Sequence, residues 1–329
     1  MTAPLLDAQN ISVTFKVPRQ GAWPWTPPDA LQAVKQASLT LEPGKTLGLV
    51  GESGSGKSTL ARAIVGTVPV SGGQVLWRGE DVLAMDRDRS RAHRRHVQMV
   101  FQDPLAALNP RMTVGQIVAE PLRTHFPDMS KDDMRKKVGA MMERVGLLPA
   151  LVNRYPHEFS GGQCQRIGIA RALITEPDLV VCDEPVSALD VSVQAQVVNL
   201  LQELQREMGL SLLFIAHDLS VVRHISHRIA VMYLGRIVET ASAAALIENP
   251  RHPYTKALIA SVPIPSPKAE RARFRPVLEG ELPSPLAPPS GCVFRTRCPI
   301  ARPSCAEAMP EPAFVASDHM VACPHSDAA

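Results

Sequence analysis

The sequence has 329 residues, 45% of them hydrophobic and 20% charged, with a net charge of +3. That balance supplies a sizeable core and excludes a disordered chain, and the length suggests roughly two domains. The charge is too mild to argue for nucleic acid or an anionic membrane surface as partner. No uninterrupted apolar run approaches the roughly 18–20 residues of a membrane span, so work at a membrane would require docking onto other subunits. The opening MTAPLLDAQNISV has no basic stretch leading into an apolar core, which predicts no secretory signal. Cys164, Cys182, Cys292, Cys298, Cys305 and Cys323 are therefore expected in a reducing compartment, without structural disulfides. The contexts of Cys164 and Cys182 predict buried thiols.

In chain order, residues 8–15 (AQNISVTF) and 33–41 (AVKQASLTL) read as strands. Between them PRQGAWPWTPPD reads as a surface insertion. Residues 45–50 (KTLGLV) form a buried strand that runs into a Gly-rich turn. Residues 75–78 and 97–101 are further strands, and the basic stretch between them, DRDRSRAHRRH, reads as a solvated face. Residues 130–172 are mostly helical in pattern. LVVCDE, a helix from Val191 to Met208 and LSLLFIAHD follow, and this alternation predicts a parallel sheet. The last 80 residues hold 15 of the 30 prolines. That composition predicts an irregular extension from about residue 250 that does not continue the α/β core.

Three segments carry chemistry. GESGSGKST, Gly51 to Thr59, has the Walker A spacing of Gly51, four residues, then Gly56-Lys57-Ser58. Its glycines let backbone N–H groups turn inward as an anion nest, and a helix starting near Gly56 adds its positive end. Ser53 and Gly54 belong to the same loop. Lys57 is expected to reach the β- and γ-phosphates of a nucleotide, Ser58 to ligate Mg²⁺ and Thr59 to lie near the α-phosphate. LVVCDE ends in Asp183, suited to the Mg²⁺ shell, and Glu184, suited to polarising an attacking water. FSGGQ, Phe159 to Gln163, offers a second anion site from the Ser160 hydroxyl, the Gly161 and Gly162 amides and a helix start.

In this order, the three segments resemble the ABC ATPases. The resemblance implies a P-loop NTPase fold, with a RecA-like parallel sheet, an antiparallel β subdomain and a helical subdomain at about residues 104–172. It implies that Ser160, Gly161, Gly162 and Gln163 bind the γ-phosphate held by the opposite subunit. It implies that Gln102, in VFQDP, senses Mg²⁺ and water and faces transmembrane subunits. Asp190, closing SALD from Ser187, would contact the partner, and His217, in FIAHD, would contact the γ-phosphate. Phe15 is the candidate adenine platform. Cys164 departs from the Arg or Lys of many relatives, without touching the phosphate-binding atoms. The insertion at residues 16–30, NPRHPYTKAL from Asn249 and GELPSPLAPPSGCVFRTRCP from Gly280 resemble the dipeptide/oligopeptide importer branch, whose close relatives serve nickel or glutathione uptake.

The chain is thus expected to comprise a nucleotide-binding domain at 1–249 and a C-terminal extension at 250–329. The resemblance implies ATP and Mg²⁺, two transmembrane permeases, a second ATPase subunit and, indirectly, an extracytoplasmic solute-binding protein. It places the subunit peripherally on the cytoplasmic face of the cell membrane. A cytosolic ABC ATPase of DNA repair or translation would carry coiled-coil insertions or two fused cassettes, and neither is present. Cys292, Cys298, Cys305 and Cys323 suit a tetrahedral thiolate site, either zinc or an iron–sulfur cluster. No Cys-x-x-Cys pair supports a zinc ribbon, and four free thiols are the bland alternative. Some importer ATPases with a similar spacing carry a [4Fe–4S] cluster. His319 and His325 are candidate extra ligands.

Overall fold

A computed structural model describes residues 3–19, 21, 23, 25–262 and 280–326. They form two compact units. One comprises the chain up to Leu6, Leu41–Thr46 and Trp77–Ala216; the other comprises Asp7–Thr40, Leu47–Leu76 and the chain from His217 onward.

In the first unit, β6 (Val97–Val100), β7 (Leu179–Asp183) and β8 (Ser211–Ile215) run parallel, with Val100 opposite Cys182 and Asp183 opposite Ile215. Every residue of β7 and β8 is buried, as expected of strands in a sheet covered on both faces. The helices α3 (Val114–His125), α4 (Lys131–Arg144) and α5 (Gly161–Leu173) connect β6 to β7, and α6 (Val191–Met208) connects β7 to β8. Their starts follow side-chain chemistry: Thr113 and Ser160 close reciprocal capping boxes with Gln116 and Gln163, and Ser130 caps α4. Helix α6 stops at Gly209, whose φ of 66° places it in the left-handed region. The basic stretch forms α2 (Arg87–His93), none of whose residues is buried, after the two-residue β5 (Glu80–Asp81).

The second unit begins with β1 (Leu6–Val17), β2 (Asp29–Leu41) and β4 (Gly72–Trp77), ordered β2-β1-β4. The Ser38 and Ser12 hydroxyls accept from the Asn10 and Gln36 amides, so β1 and β2 run antiparallel. A second ladder starts with β3 (Thr46–Val50), parallel to β9 (Arg228–Tyr233). It continues antiparallel through β10 (Arg236–Ser242) and β12 (His319–Val321) to β11 (Ala313–Ala316). Helix α1 (Lys57–Ile64) follows β3; α7 (Leu219–Ile225), α8 (Ala243–Glu248), α9 (Pro253–Ser261) and the four-residue α10 (Ser304–Glu307) lie in the same unit.

The C-terminal region departs from the expected irregular extension. Its last strands join the β10 edge, with Val321 opposite Glu239. The anchor is a fully buried carboxylate: Glu239 accepts from the Arg251 amide (2.7 Å) and the His252 amide (2.9 Å) and pairs with His319 Nε2 (2.7 Å). A buried carboxylate persists only when its oxygens are satisfied, and here the partners come from the C-terminal region. Proline counting missed this because β11 and β12 are short and need no proline-free run longer than four residues. Residues 263–279, also expected to be irregular, lie outside the described residues.

His252 is fully buried at the N-cap of α9, where Nδ1 accepts from the Tyr254 amide at 3.1 Å. Burial pushes its pKa down to about 3. The unfolded chain therefore binds a proton between about pH 6.5 and 3 that the folded chain refuses, so stability falls as pH drops through that window. At pH 4 this loss amounts to about 3 kcal/mol. His252→Asn keeps a capping side chain and removes the titration. Urea denaturation at pH 7 and pH 4 is expected to show a smaller acid loss in the variant.

Candidate functional site

The second unit carries the phosphate loop. Gly51 follows the last residue of β3, Ser53 and Gly54 are exposed, and α1 opens at Lys57. Gly56 caps α1 with φ 104°, and a Cβ there would lie 2.4 Å from the Ala33 carbonyl oxygen. Only glycine fits such a position. No side chain caps α1 and its first turn holds no acidic residue, so the helix start keeps its amides and positive end for an anion. Lys57 is 4% exposed, and its Nζ donates to the Gly51 and Glu52 carbonyls, each at 2.9 Å. Ser58 and Thr59 are half-buried on α1, and Phe15 is half-buried on β1. His217 is exposed and precedes Asp218, which caps α7.

The first unit carries the carboxylates and the second anion site. Asp183 closes β7 and is 1% exposed. Glu184 follows with φ 46°, in the left-handed region that non-glycine residues rarely adopt. Its amide donates to the Ile215 carbonyl (3.0 Å), and its Oε2 accepts from Gln102 Nε2 (3.0 Å). That bond assigns Gln102 Oε1 as the amide's acceptor end. Two residues 82 positions apart thus meet side chain to side chain, a contact no local pattern announces.

Ser160, Gly161 and Gln163 are exposed at the start of α5, and Gly162 is half-buried. The Ser160 hydroxyl oxygen accepts from the Gln163 amide at 3.4 Å, and Gln163 Oε1 accepts from the Ser160 amide at 3.0 Å. A Cβ on Gly162 would lie 2.5 Å from Val193 Cγ1, so the close approach of α5 to α6 excludes a larger residue there. Cys164 faces inward, fully buried, with its thiol donating to the Pro156 carbonyl. Asp190 is exposed at the α6 N-cap. Gln194, which sequence reading overlooked, holds the preceding loop by donating to the Val186 and Leu189 carbonyls, each at 3.0 Å.

Cys292, Cys298, Cys305 and Cys323 are half-buried free thiols that line one cavity of the second unit, with Phe294, Ile300, Pro310 and His325. Burial raises the thiol pKa values of Cys292 and Cys323 and carries Cys298 to about 11, and neighbouring thiols add to each shift. His325 Nε2 is buried with no hydrogen-bond partner among the described residues. His319, by contrast, is engaged with Glu239. Among the described residues no three His, Cys, Asp or Glu side chains gather closely enough for a single metal ion.

The cavity borders an aromatic cluster of Tyr233, Tyr254 and Phe294, with ring centroids 4.7–5.4 Å apart. From it the Tyr254 hydroxyl accepts from the Glu52 amide (2.8 Å), and Arg297 Nη1 donates to Glu52 Oε2 (2.8 Å). No sequence signal ties Arg297 to a residue 245 positions earlier.

Comparison with known proteins shows the family. Residues 34–187 match the ABC transporter family, and residues 238–305 match the oligopeptide/dipeptide transporter C-terminal region. The oligopeptide transport ATP-binding protein OppF of Salmonella typhimurium is 63% identical over 93% of this chain and 92% of its own length. AppF of Bacillus subtilis, another oligopeptide transport ATP-binding protein, is 53% identical over 89% of each chain. Among solved structures, the dimeric bacterial ABC transporter cassette MJ0796 aligns over 72% of this chain and 98% of its own, with a TM-score of 0.64 and 28% identity. Its post-hydrolysis dimer with ADP and Pi aligns with a TM-score of 0.63. No described helix is long and apolar enough to cross a membrane. The chain belongs to the ABC transporter ATP-binding proteins, in the branch that carries the oligopeptide/dipeptide transporter C-terminal region.

Proposed function

We propose that this ABC ATPase hydrolyses ATP to drive uptake of di- and oligopeptides, docked on the cytoplasmic face of the membrane against two permeases. The single observation that carries the peptide assignment is the 63% identity with an oligopeptide transport ATP-binding protein, over a span that includes the C-terminal region. A second ATPase subunit completes the assembly, and an extracytoplasmic solute-binding protein delivers the peptide.

The roles follow from the side chains. The α1 amides and Lys57 bind the phosphates, with Lys57 exchanging its loop carbonyls for phosphate oxygens. Gly51, Ser53, Gly54, Gly56 and Thr59 shape this cradle, and Phe15 stacks on adenine. Ser58, Asp183 and Gln102 Oε1 are oxygen donors, which fits Mg²⁺. When bound, the ion neutralises charge on the β- and γ-oxygens. Glu184 orients and polarises the attacking water, with Gln102 fixing its carboxylate. His217 contacts the γ-phosphate. Ser160, Gly161, Gly162 and Gln163 of one subunit close over the γ-phosphate held by the other, and Asp190 contacts that subunit.

The four C-terminal thiols, by this reading, hold a [4Fe–4S] cluster. Their donor set fits, because four cysteines line one largely apolar cavity. Cys292, Cys298, Cys305 and Cys323 would hold the cluster as thiolates, and it would supply one-electron chemistry.

Two measurements test these roles. Glu184→Gln is expected to bind ATP with wild-type affinity and to lose turnover by about 10²- to 10⁴-fold; a wild-type rate would remove Glu184 from its role. Protein purified without oxygen is expected to be brown, with about four irons and matching sulfide. One zinc and no colour, or no metal at all, would refute the cluster.

A further inference from the structure

We propose that Arg297 is a positioning residue for ATP binding: it neutralises and anchors Glu52, so that the C-terminal region completes the phosphate loop. The proposal rests on the reading of Gly51–Thr59 as the ATP site.

Glu52 is the second residue of the loop, and it is a carboxylate inside a motif built to attract a polyanion. Left alone, its charge would oppose the amides and Lys57 that face the phosphates. Arg297 answers it. The guanidinium Nη1 lies 2.8 Å from Glu52 Oε2, with the Arg297 side chain 7% exposed and that of Glu52 27% exposed. The guanidinium also lies over the Tyr233 ring, 6.0 Å from its centroid. Burial on its own would lower the Arg297 pKa, but the hydrogen bonds to Glu52 and Tyr233 outweigh it and carry the group above the ordinary arginine range.

The contact also fixes geometry. Glu52 is held at three atoms: its carboxylate by Arg297, its amide by the Tyr254 hydroxyl, and its carbonyl by Lys57 Nζ. Arg297 is itself held in a tight turn, since its amide donates to the Phe294 carbonyl at 3.0 Å. That turn runs directly into Cys298, and Phe294 and Cys298 both line the thiol cavity. A residue of the C-terminal region therefore sets the charge and the backbone of the loop.

The experiment measures equilibrium binding of Mg-ATP, with KM and kcat, on the full-length chain and on variants of Arg297, Glu52 and Lys57. Arg297→Gln exposes the Glu52 charge to the nucleotide and is expected to weaken ATP binding by roughly tenfold, about what 1.4 kcal/mol represents. The loss should fall on Kd and KM, with kcat at saturating ATP retained. Arg297→Lys, which keeps the charge without the planar fork, should recover part of the affinity. The decisive variant is Glu52→Gln/Arg297→Gln. With the carboxylate gone, it should bind ATP more tightly than Arg297→Gln, and by a larger factor than Glu52→Gln alone gains over wild type, a non-additivity that a purely structural role would not give. Wild-type affinity in Arg297→Gln, or a double variant no tighter than Arg297→Gln, overturns the proposal. If Arg297→Gln does not fold, Arg297→Lys with and without Glu52→Gln gives the same comparison. Lys57→Ala separates the two readings. Lost binding there beside normal binding in Arg297→Gln removes Arg297 alone, whereas normal binding in both removes the loop assignment beneath it.

Discussion

An ammonium group that is almost fully buried must be paired, and Lys57 is paired with two backbone carbonyls of its own loop. That constraint organises the second unit. The carbonyls of Gly51 and Glu52 can face Lys57 only if the loop turns back on the start of α1, which is where Gly56 takes its left-handed conformation. The start of α1 carries no side-chain cap, so its first amides stay available to an anion. The loop is then braced from elements far away in sequence: the Ser55 carbonyl accepts from the Gly235 amide at 2.8 Å, and the Tyr254 hydroxyl accepts from the Glu52 amide. A polyanion arriving here meets a cradle already shaped, and little of its binding energy goes into ordering the chain.

The first unit shows the complementary device, strain held in place by a ladder. The left-handed backbone of Glu184 costs about 1 kcal/mol or more. It persists because the amide is tied to the Ile215 carbonyl at the end of β8 and because Ser187 Oγ donates to the Glu184 carbonyl (3.1 Å). The gain is directional: the carboxylate turns away from the path of β7 and meets Gln102. A relaxed extended residue would continue the strand, with its side chain pointing to one face of the sheet.

The sequence made the strands β1, β3, β6, β7 and β8 readable, because short runs of Val, Ile and Leu bounded by turns have few other uses. It made the motifs readable too, since Walker A needs its strand before and its helix after, and both are local. What it hid was long-range. Cys164 could be read as buried, but not as the inward face of a motif that exposes Ser160, Gly161 and Gln163. Gln102 and Glu184 each carried a family role, while their mutual hydrogen bond belongs to the tertiary fold. The proline-rich ending concealed most, because composition reports where long elements cannot form. It says nothing of three-residue strands that a neighbouring edge can recruit.

That ending belongs to the same compact unit as the Gly51–Thr59 loop. Cutting the chain at residue 249 would remove the Arg251 and His252 amides and His319, the three partners that satisfy the Glu239 carboxylate. It would also strip Tyr254 and Phe294 from Tyr233 and open an apolar face where three rings now pack. Each loss falls on β9 or β10, and β9 pairs directly with β3, the strand that delivers the phosphate loop. Damage to the C-terminal region thus reaches the loop through the sheet as well as through Glu52.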